Sequence, residues 1–154
     1  MTHLKRSLTQ ADYEALAELR YQIRRFLRFS EDASRKTGLE PRQHQLMLAL
    51  RGLPRGVKPR ISELALRLQI QHHSAVELVN RLGSRGLVLR RPGNEDRREV
   101  LLALTPKGQK LLRDLSLHHK AELRSQGPAL LVALKRLESR RGKAAASKPR
   151  RKRN

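Results

Sequence analysis

The sequence predicts a mostly α-helical fold carrying one small β-hairpin, and three observations predict it. Apolar residues recur at helical spacing over much of the chain, as in Tyr13, Leu16, Leu19, Ile23, Phe26, Leu27 and Ala33. One stretch departs from that rhythm. Leu87-Val88-Leu89-Arg90-Arg91 and residues 99–104 read as short strands flanking Pro92-Gly93-Asn94-Glu95-Asp96, a run of chain-reversing residues, so a hairpin with a long tip is expected, the tip carrying Arg90, Arg91, Arg97 and Arg98. Finally, start and stop signals punctuate the helical segments at regular intervals.

The first helix opens at Thr9, a good N-cap, with Asp12 in the reciprocal capping position and Leu8 and Tyr13 at staple spacing. Its stripe runs for more than twenty residues to a stop at Gly38. A stripe that long in a small protein suits packing on another subunit or on a long second helix. Glu40-Pro41-Arg42-Gln43-His44 opens the second helix with Pro41 at its first position, and Gly52 ends it. Residues 52–59 form a loop. Ser62 is the expected N-cap of a short third helix through Leu68, Gln69-Ile70-Gln71 a tight turn, and His72 to Arg85 a fourth helix ended by Gly86. Two short helices joined by so short a turn make a helix-turn-helix. In the fourth helix Ala75, Leu78, Val79 and Leu82 share a face that must be buried, which leaves His73, Glu77, Asn80 and Ser84 opposite, with Val76 and Arg81 on the flanks.

After the hairpin, Thr105-Pro106 starts a helix that reaches about Glu122. Ser125-Gln126-Gly127-Pro128 is expected to interrupt it, and residues 129–137 form a final, strongly apolar helix. From Arg140 to Asn154, eight of fifteen residues are Lys or Arg and none is acidic, so this basic tail is expected to be disordered.

Composition narrows the chemistry. A 154-residue chain suits one domain, and its net charge of +21 predicts a polyanionic partner: DNA, RNA or an anionic membrane surface. With two Phe, two Tyr and no Trp, aromatic base stacking is a poor fit, which argues against single-strand recognition. No cysteine means no disulfide, thiolate metal site or thiol redox sensor. His72-His73 and His118-His119 are adjacent pairs, which do not share a helical face, so no metal or other cofactor is expected. No glycine-rich phosphate loop or Cys–His pair suggests an enzyme. No apolar run approaches a membrane span, and residues 1–10 lack the pattern of a signal peptide, so the expected location is the cytoplasm, in a bacterium the nucleoid.

A basic hairpin following a helix-turn-helix is the layout of a winged helix-turn-helix. The blocks Glu40-Pro41-Arg42-Gln43, Ile61-Ser62-Glu63-Leu64-Ala65, residues 74–82, Arg85-Gly86-Leu87-Val88, and Asp96-Arg97-Arg98 followed by Leu104-Thr105-Pro106-Lys107-Gly108 resemble the MarR family of transcriptional regulators over roughly residues 8–138. The resemblance implies a domain over residues 1–139, with dimerisation helices at 8–38 and 106–139 and a winged helix-turn-helix at 40–105. It implies a homodimer, helix 72–85 in a major groove, the wing at 90–98 in the adjacent minor groove, and a near-palindromic double-stranded operator. It also implies repression and release by a small-molecule effector bound between the dimer interface and the DNA-binding lobe, near which His44 is placed.

The expected DNA-contacting residues are His72, His73, Ser74, Val76, Glu77, Asn80 and Arg81 in the helix, and Arg90, Arg91, Asp96, Arg97 and Arg98 in the wing. The helix N-terminus around His72, His73 and Ser74 favours phosphate or base-edge contacts. Arginines gain from the focused negative potential of a narrow minor groove. Glu77 has two readings, acceptance from a cytosine amino group or an i,i+4 pair with Arg81, the second slightly favoured. Asp96 is expected to hold the guanidinium of Arg98 extended, against the simpler role of forming the turn. The tail has three readings: nonspecific contact with DNA backbone, which is favoured; contact with RNA or another acidic partner; or a merely soluble end. The rival to the whole reading is a nonspecific nucleoid-associated or RNA-binding basic protein, since charge alone predicts it equally well.

Overall fold

The computed structural model describes residues 8–145. The order is α1 (Gln10–Lys36), α2 (Pro41–Arg51), α3 (Ile61–Leu68), α4 (His72–Ser84), β1 (Val88–Pro92), β2 (Val100–Leu104) and α5 (Pro106–Ala145). The chain is mostly helical with one antiparallel hairpin, pairing Val88 with Leu104 at its root and Pro92 with Val100 near its tip. Two compact units divide it, one spanning Ser30–His119 and the other made of the two chain ends.

The unit Ser30–His119 holds the main core. Leu46, Met47 and Leu50 of α2, Leu64 of α3, Leu78, Val79 and Leu82 of α4, and Leu102 and Leu104 of β2 pack together with Leu112 and Leu115 of α5. Burying each such leucine contributes about 1.5–3 kcal/mol. The expected apolar stripe of α4 is the one that is buried. The helix starts follow local chemistry where local chemistry suffices. Thr9 and Asp12 cap α1 reciprocally: the Thr9 N–H donates to Asp12 Oδ2 at 2.8 Å and the Asp12 N–H to Thr9 Oγ1 at 3.3 Å. Pro41 is the first residue of α2, and Gln43 Oε1 accepts the Glu40 N–H at 3.1 Å. At α5, Thr105 Oγ1 accepts the Gly108 N–H at 3.0 Å and donates to the Gly86 carbonyl at 2.6 Å, tying the cap to the end of the helix-turn-helix.

Three expectations are corrected. Ser62 is not the cap of α3; the helix begins at Ile61 with Arg60 as its extended N-cap residue. The reason is tertiary: the Pro59 carbonyl accepts the Leu102 N–H at 2.9 Å, which fixes the chain next to the cap, two residues earlier than expected. Residues 125–128 do not split the last helix, because α5 passes through Pro128 unbroken. The residue before the proline is Gly127, whose missing Cβ relieves the clash that normally drives a pre-proline residue out of helical geometry. The third concerns the hairpin: Arg90 and Arg91 lie within β1 rather than at its tip, where Arg97 and Arg98 remain. Helix α5 also continues through Ala145, into the first residues of the basic tail. The expectation of disorder for residues 146–154 falls outside the described residues.

The second unit takes the N-terminal part of α1 and the C-terminal part of α5. Its buried positions are small or polar, Ala15, Gln22 and Ala133. Tyr13, Leu16, Tyr21, Ile23, Leu27, Leu131, Val132 and Leu134 stay exposed.

Candidate nucleic-acid interface

Because α4 buries Ala75, Leu78, Val79 and Leu82, its opposite side is set by helical geometry. His72, His73, Glu77, Asn80 and Arg81 are exposed there, and Ser74 and Val76 are half-buried. The sequence-expected residues of α4 therefore share one open polar surface. Glu77 does not pair with Arg81, however. Among the described residues, Arg81 Nη1 approaches the Glu40 carboxylate at 3.4 Å, joining α4 to the start of α2. Arg85, at the end of α4, donates through Nη1 to the Gly38 carbonyl at 2.7 Å and so ties α4 to the end of α1.

The wing is attached to α4 directly. Arg90 Nη2 donates to Asn80 Oδ1 at 2.6 Å, which links two expected DNA-contacting residues to each other before any DNA is bound. At the tip, Asp96 Oδ1 accepts the Arg98 backbone N–H at 2.9 Å, while the Arg98 guanidinium Nε stands 3.9 Å from the same oxygen. The short contact is the turn-forming one; the guanidinium is only loosely held. Arg98 is 96% exposed at its side chain and points its charge into solvent. Arg91 and Arg97 are likewise exposed.

Sequence reasoning missed Glu99, Lys58 and Arg60. Lys58 Nζ donates to Glu99 Oε2 at 3.0 Å, and the Arg60 guanidinium bridges to Glu99 Oε1 through Nε and Nη2. These hydrogen bonds hold the Glu99 carboxyl below the usual carboxylate range and the Lys58 ammonium above its own. Nothing local in the sequence signals this, since the partners lie about forty residues apart.

His44 lies elsewhere. It is 3% exposed, in the core, its ring stacked on His119 at 4.8 Å between centroids. His119 is fixed by Ser30 Oγ at 2.7 Å from Nε2 and the Leu115 carbonyl at 2.6 Å from Nδ1. Burial, and then the neighbouring His119, lower the His44 pKa from 6.5 to about 4. The ring is neutral near pH 7, and a ligand could reach it only by parting this packing. Among the described residues no group of three or more His, Cys, Asp or Glu is placed to hold a metal ion. No helix is long and apolar enough to cross a membrane among those residues.

A helix-turn-helix whose second helix presents an open polar face, followed by a basic hairpin tethered to that helix, is a winged helix-turn-helix. Residues 37–99 match the MarR family profile. None of the curated proteins compared matches the chain. Among solved structures, AbsC, a MarR family transcriptional regulator from Streptomyces coelicolor, is 24% identical over 79% of this chain and 82% of its own, with a TM-score of 0.65. CouR from Rhodococcus jostii RHA1, bound to p-coumaroyl-CoA, is 28% identical over 64% of this chain and 67% of its own, with a TM-score of 0.56. The F27L mutant of MepR from S. aureus, bound to an oligodeoxyribonucleotide, shares the fold at 17% identity over 92% of this chain and 99% of its own, with a TM-score of 0.58. Over residues 37–99 the chain is similar to the MarR family of transcriptional regulators, and its fold is the one these solved structures share.

Proposed function

We propose that the chain is a homodimeric, sequence-specific double-stranded DNA-binding repressor that responds to a small-molecule effector. The observation that carries this reading is the joint surface of α4 and the wing: an open polar helix face beside the basic strand β1, locked together by Asn80 and Arg90. Helix α4 enters the major groove with His72, His73, Ser74, Val76, Glu77, Asn80 and Arg81, where an exposed Glu77 free of Arg81 can accept from a cytosine amino group. The wing follows the adjacent minor groove, with Arg97 and Arg98 at its tip and Arg90 and Arg91 along its strand. The dimer is supported by the exposed apolar residues of α1 and α5, a surface that a monomer leaves in water. Two-fold symmetry then calls for a near-palindromic operator with half-sites about one helical turn apart. The MepR complex with an oligodeoxyribonucleotide and the CouR complex with p-coumaroyl-CoA support the DNA and effector parts by analogy. The cytoplasm, in a bacterium the nucleoid, is the matching location.

The net charge of +21 favours a second reading, a nonspecific nucleoid or RNA-binding protein. Competition between the DNA upstream of the protein's own gene and a shuffled duplex separates the two. The regulator discriminates strongly; the coating protein binds both alike.

A further inference from the structure

The wing is held from both of its strands, and the two attachments differ in kind. On the α4 side, β1 is tied by the single neutral acceptor Asn80 to Arg90. On the far side, β2 is tied by a charged cluster centred on Glu99, whose side chain is only 10% exposed. Its carboxylate takes Lys58 on one oxygen and Arg60 on the other, and Lys58 also lies 3.6 Å from Glu95 of the tip. Lys58 and Arg60 flank Pro59, whose carbonyl accepts the Leu102 N–H, and Arg60 is the N-cap residue of α3. One carboxylate thus joins the outer strand of the wing to the entry of the helix-turn-helix. The same residue closes the tip through its backbone: its carbonyl accepts the Gly93 N–H at 2.8 Å and its N–H donates to the Asp96 carbonyl at 3.1 Å. The fit around it is tight, since a Cβ on Gly93 would stand 2.8 Å from Glu99 Oε2 and 2.6 Å from the Asp96 carbonyl.

We propose that Glu99 is a positioning residue for DNA binding, its carboxylate clamping the wing to Lys58 and Arg60 so that Arg97 and Arg98 are presented together with α4. This deepens the function proposed above and rests on its assignment of the wing to the minor groove. Glu99 stays ionised throughout the physiological range, because both cations lower its pKa. The proposal opposes simple electrostatics. A carboxylate beside a polyanion repels it, so neutralising Glu99 should tighten binding if charge alone mattered. If Glu99 positions the wing, neutralising it weakens binding, because only the fraction of molecules with the wing in place can bind. A wing correctly placed a tenth of the time costs about tenfold in affinity.

The test measures binding of a labelled A·T-tract duplex, whose minor groove is narrow, by anisotropy across a range of salt. It uses the full chain, Glu99→Gln, the double variant Arg97→Ala/Arg98→Ala, and the triple combination. Positioning predicts that Glu99→Gln binds at least about fivefold more weakly, with a salt slope shallower by about 0.9 for each phosphate that the wing no longer neutralises. It also predicts that Glu99→Gln has no further effect once Arg97 and Arg98 are gone. Equal or tighter binding by Glu99→Gln, or the same loss in both backgrounds, overturns the proposal. Melting temperatures establish that each variant is folded. If Glu99→Gln is not, Glu99→Asp, which keeps the charge but shortens the reach, is compared in the same two backgrounds with the same criteria. The duplex is not an operator, so failure of the sequence-specific reading leaves this test intact. Wild-type binding that ignores loss of Arg97 and Arg98 refutes the wing's assignment itself, and the Glu99 proposal with it.

Discussion

At Asp96 the short contact is with backbone rather than with a side chain. Its carboxylate stands 2.9 Å from the Arg98 N–H and 3.9 Å from the Arg98 guanidinium, so it shapes the tip and only weakly steers the charge. Asp96→Ala should still weaken binding to duplex DNA, by several-fold, although it removes a negative charge; unchanged or tighter binding measured by anisotropy removes Asp96 from the interface. His44 gives a prediction in pH. Its pKa is about 4 in the folded chain against an ordinary 6.5, chiefly through burial, so the unfolded chain binds the proton more readily. Stability from this site is present above pH 6.5 and is lost as pH falls toward 4, by about 3 kcal/mol in all at 1.36 kcal/mol per unit. Denaturant unfolding should show His44→Leu gaining on the wild type by about that amount between pH 7 and pH 4; a constant difference rules out the linkage. The residue scale is also where the sequence was least legible. The polar face of α4 follows from helical period alone, but Glu99 with Lys58 and Arg60, Arg81 with Glu40, and His44 with His119 each join positions tens of residues apart. Glu77 and Arg81 stood at pairing distance along the helix, yet Arg81 turns to α2.

Element boundaries were readable wherever the signal was local. Thr9 with Asp12, Pro41 at the first position of α2, and Thr105 before Pro106 all act at the positions expected from capping chemistry. Boundaries failed where a contact from another element intervened, as at α3, or where a compensating neighbour cancelled a breaker, as Gly127 does for Pro128. The junction of the wing with α5 depends on Gly108 for a reason the sequence did not disclose: a Cβ there would lie 2.1 Å from the Leu87 carbonyl oxygen, a backbone atom that cannot easily move. Gly108→Ala must push the start of α5 away from the β1 root, and such overpacking typically costs about 1–3 kcal/mol. Thermal or urea unfolding of the variant measures this. A variant as stable as the wild type would mean that the junction yields freely.

Over the whole molecule, charge and fold answer different questions. The charge of +21 predicts strong, salt-sensitive attraction to any polyanion and carries no sequence information. The proposed reading of sequence rests on α4 and the wing, which share the core of Leu46, Leu78, Leu82 and Leu102. In the unit formed by the chain ends the buried positions are small or polar and large residues are exposed, among them Tyr13, Leu16, Ile23 and Leu27 of the long α1 stripe, which in the sequence suits either another subunit or a long second helix. The central claim is that this protein reads sequence. It is tested most directly by competition binding at near-physiological salt, with the DNA upstream of its own gene set against a shuffled fragment of equal length. The regulator reading predicts a preference of about a thousandfold or more, the range of site-specific binders. Near-equal binding would contradict it and leave the charge as the protein's main means of engaging nucleic acid.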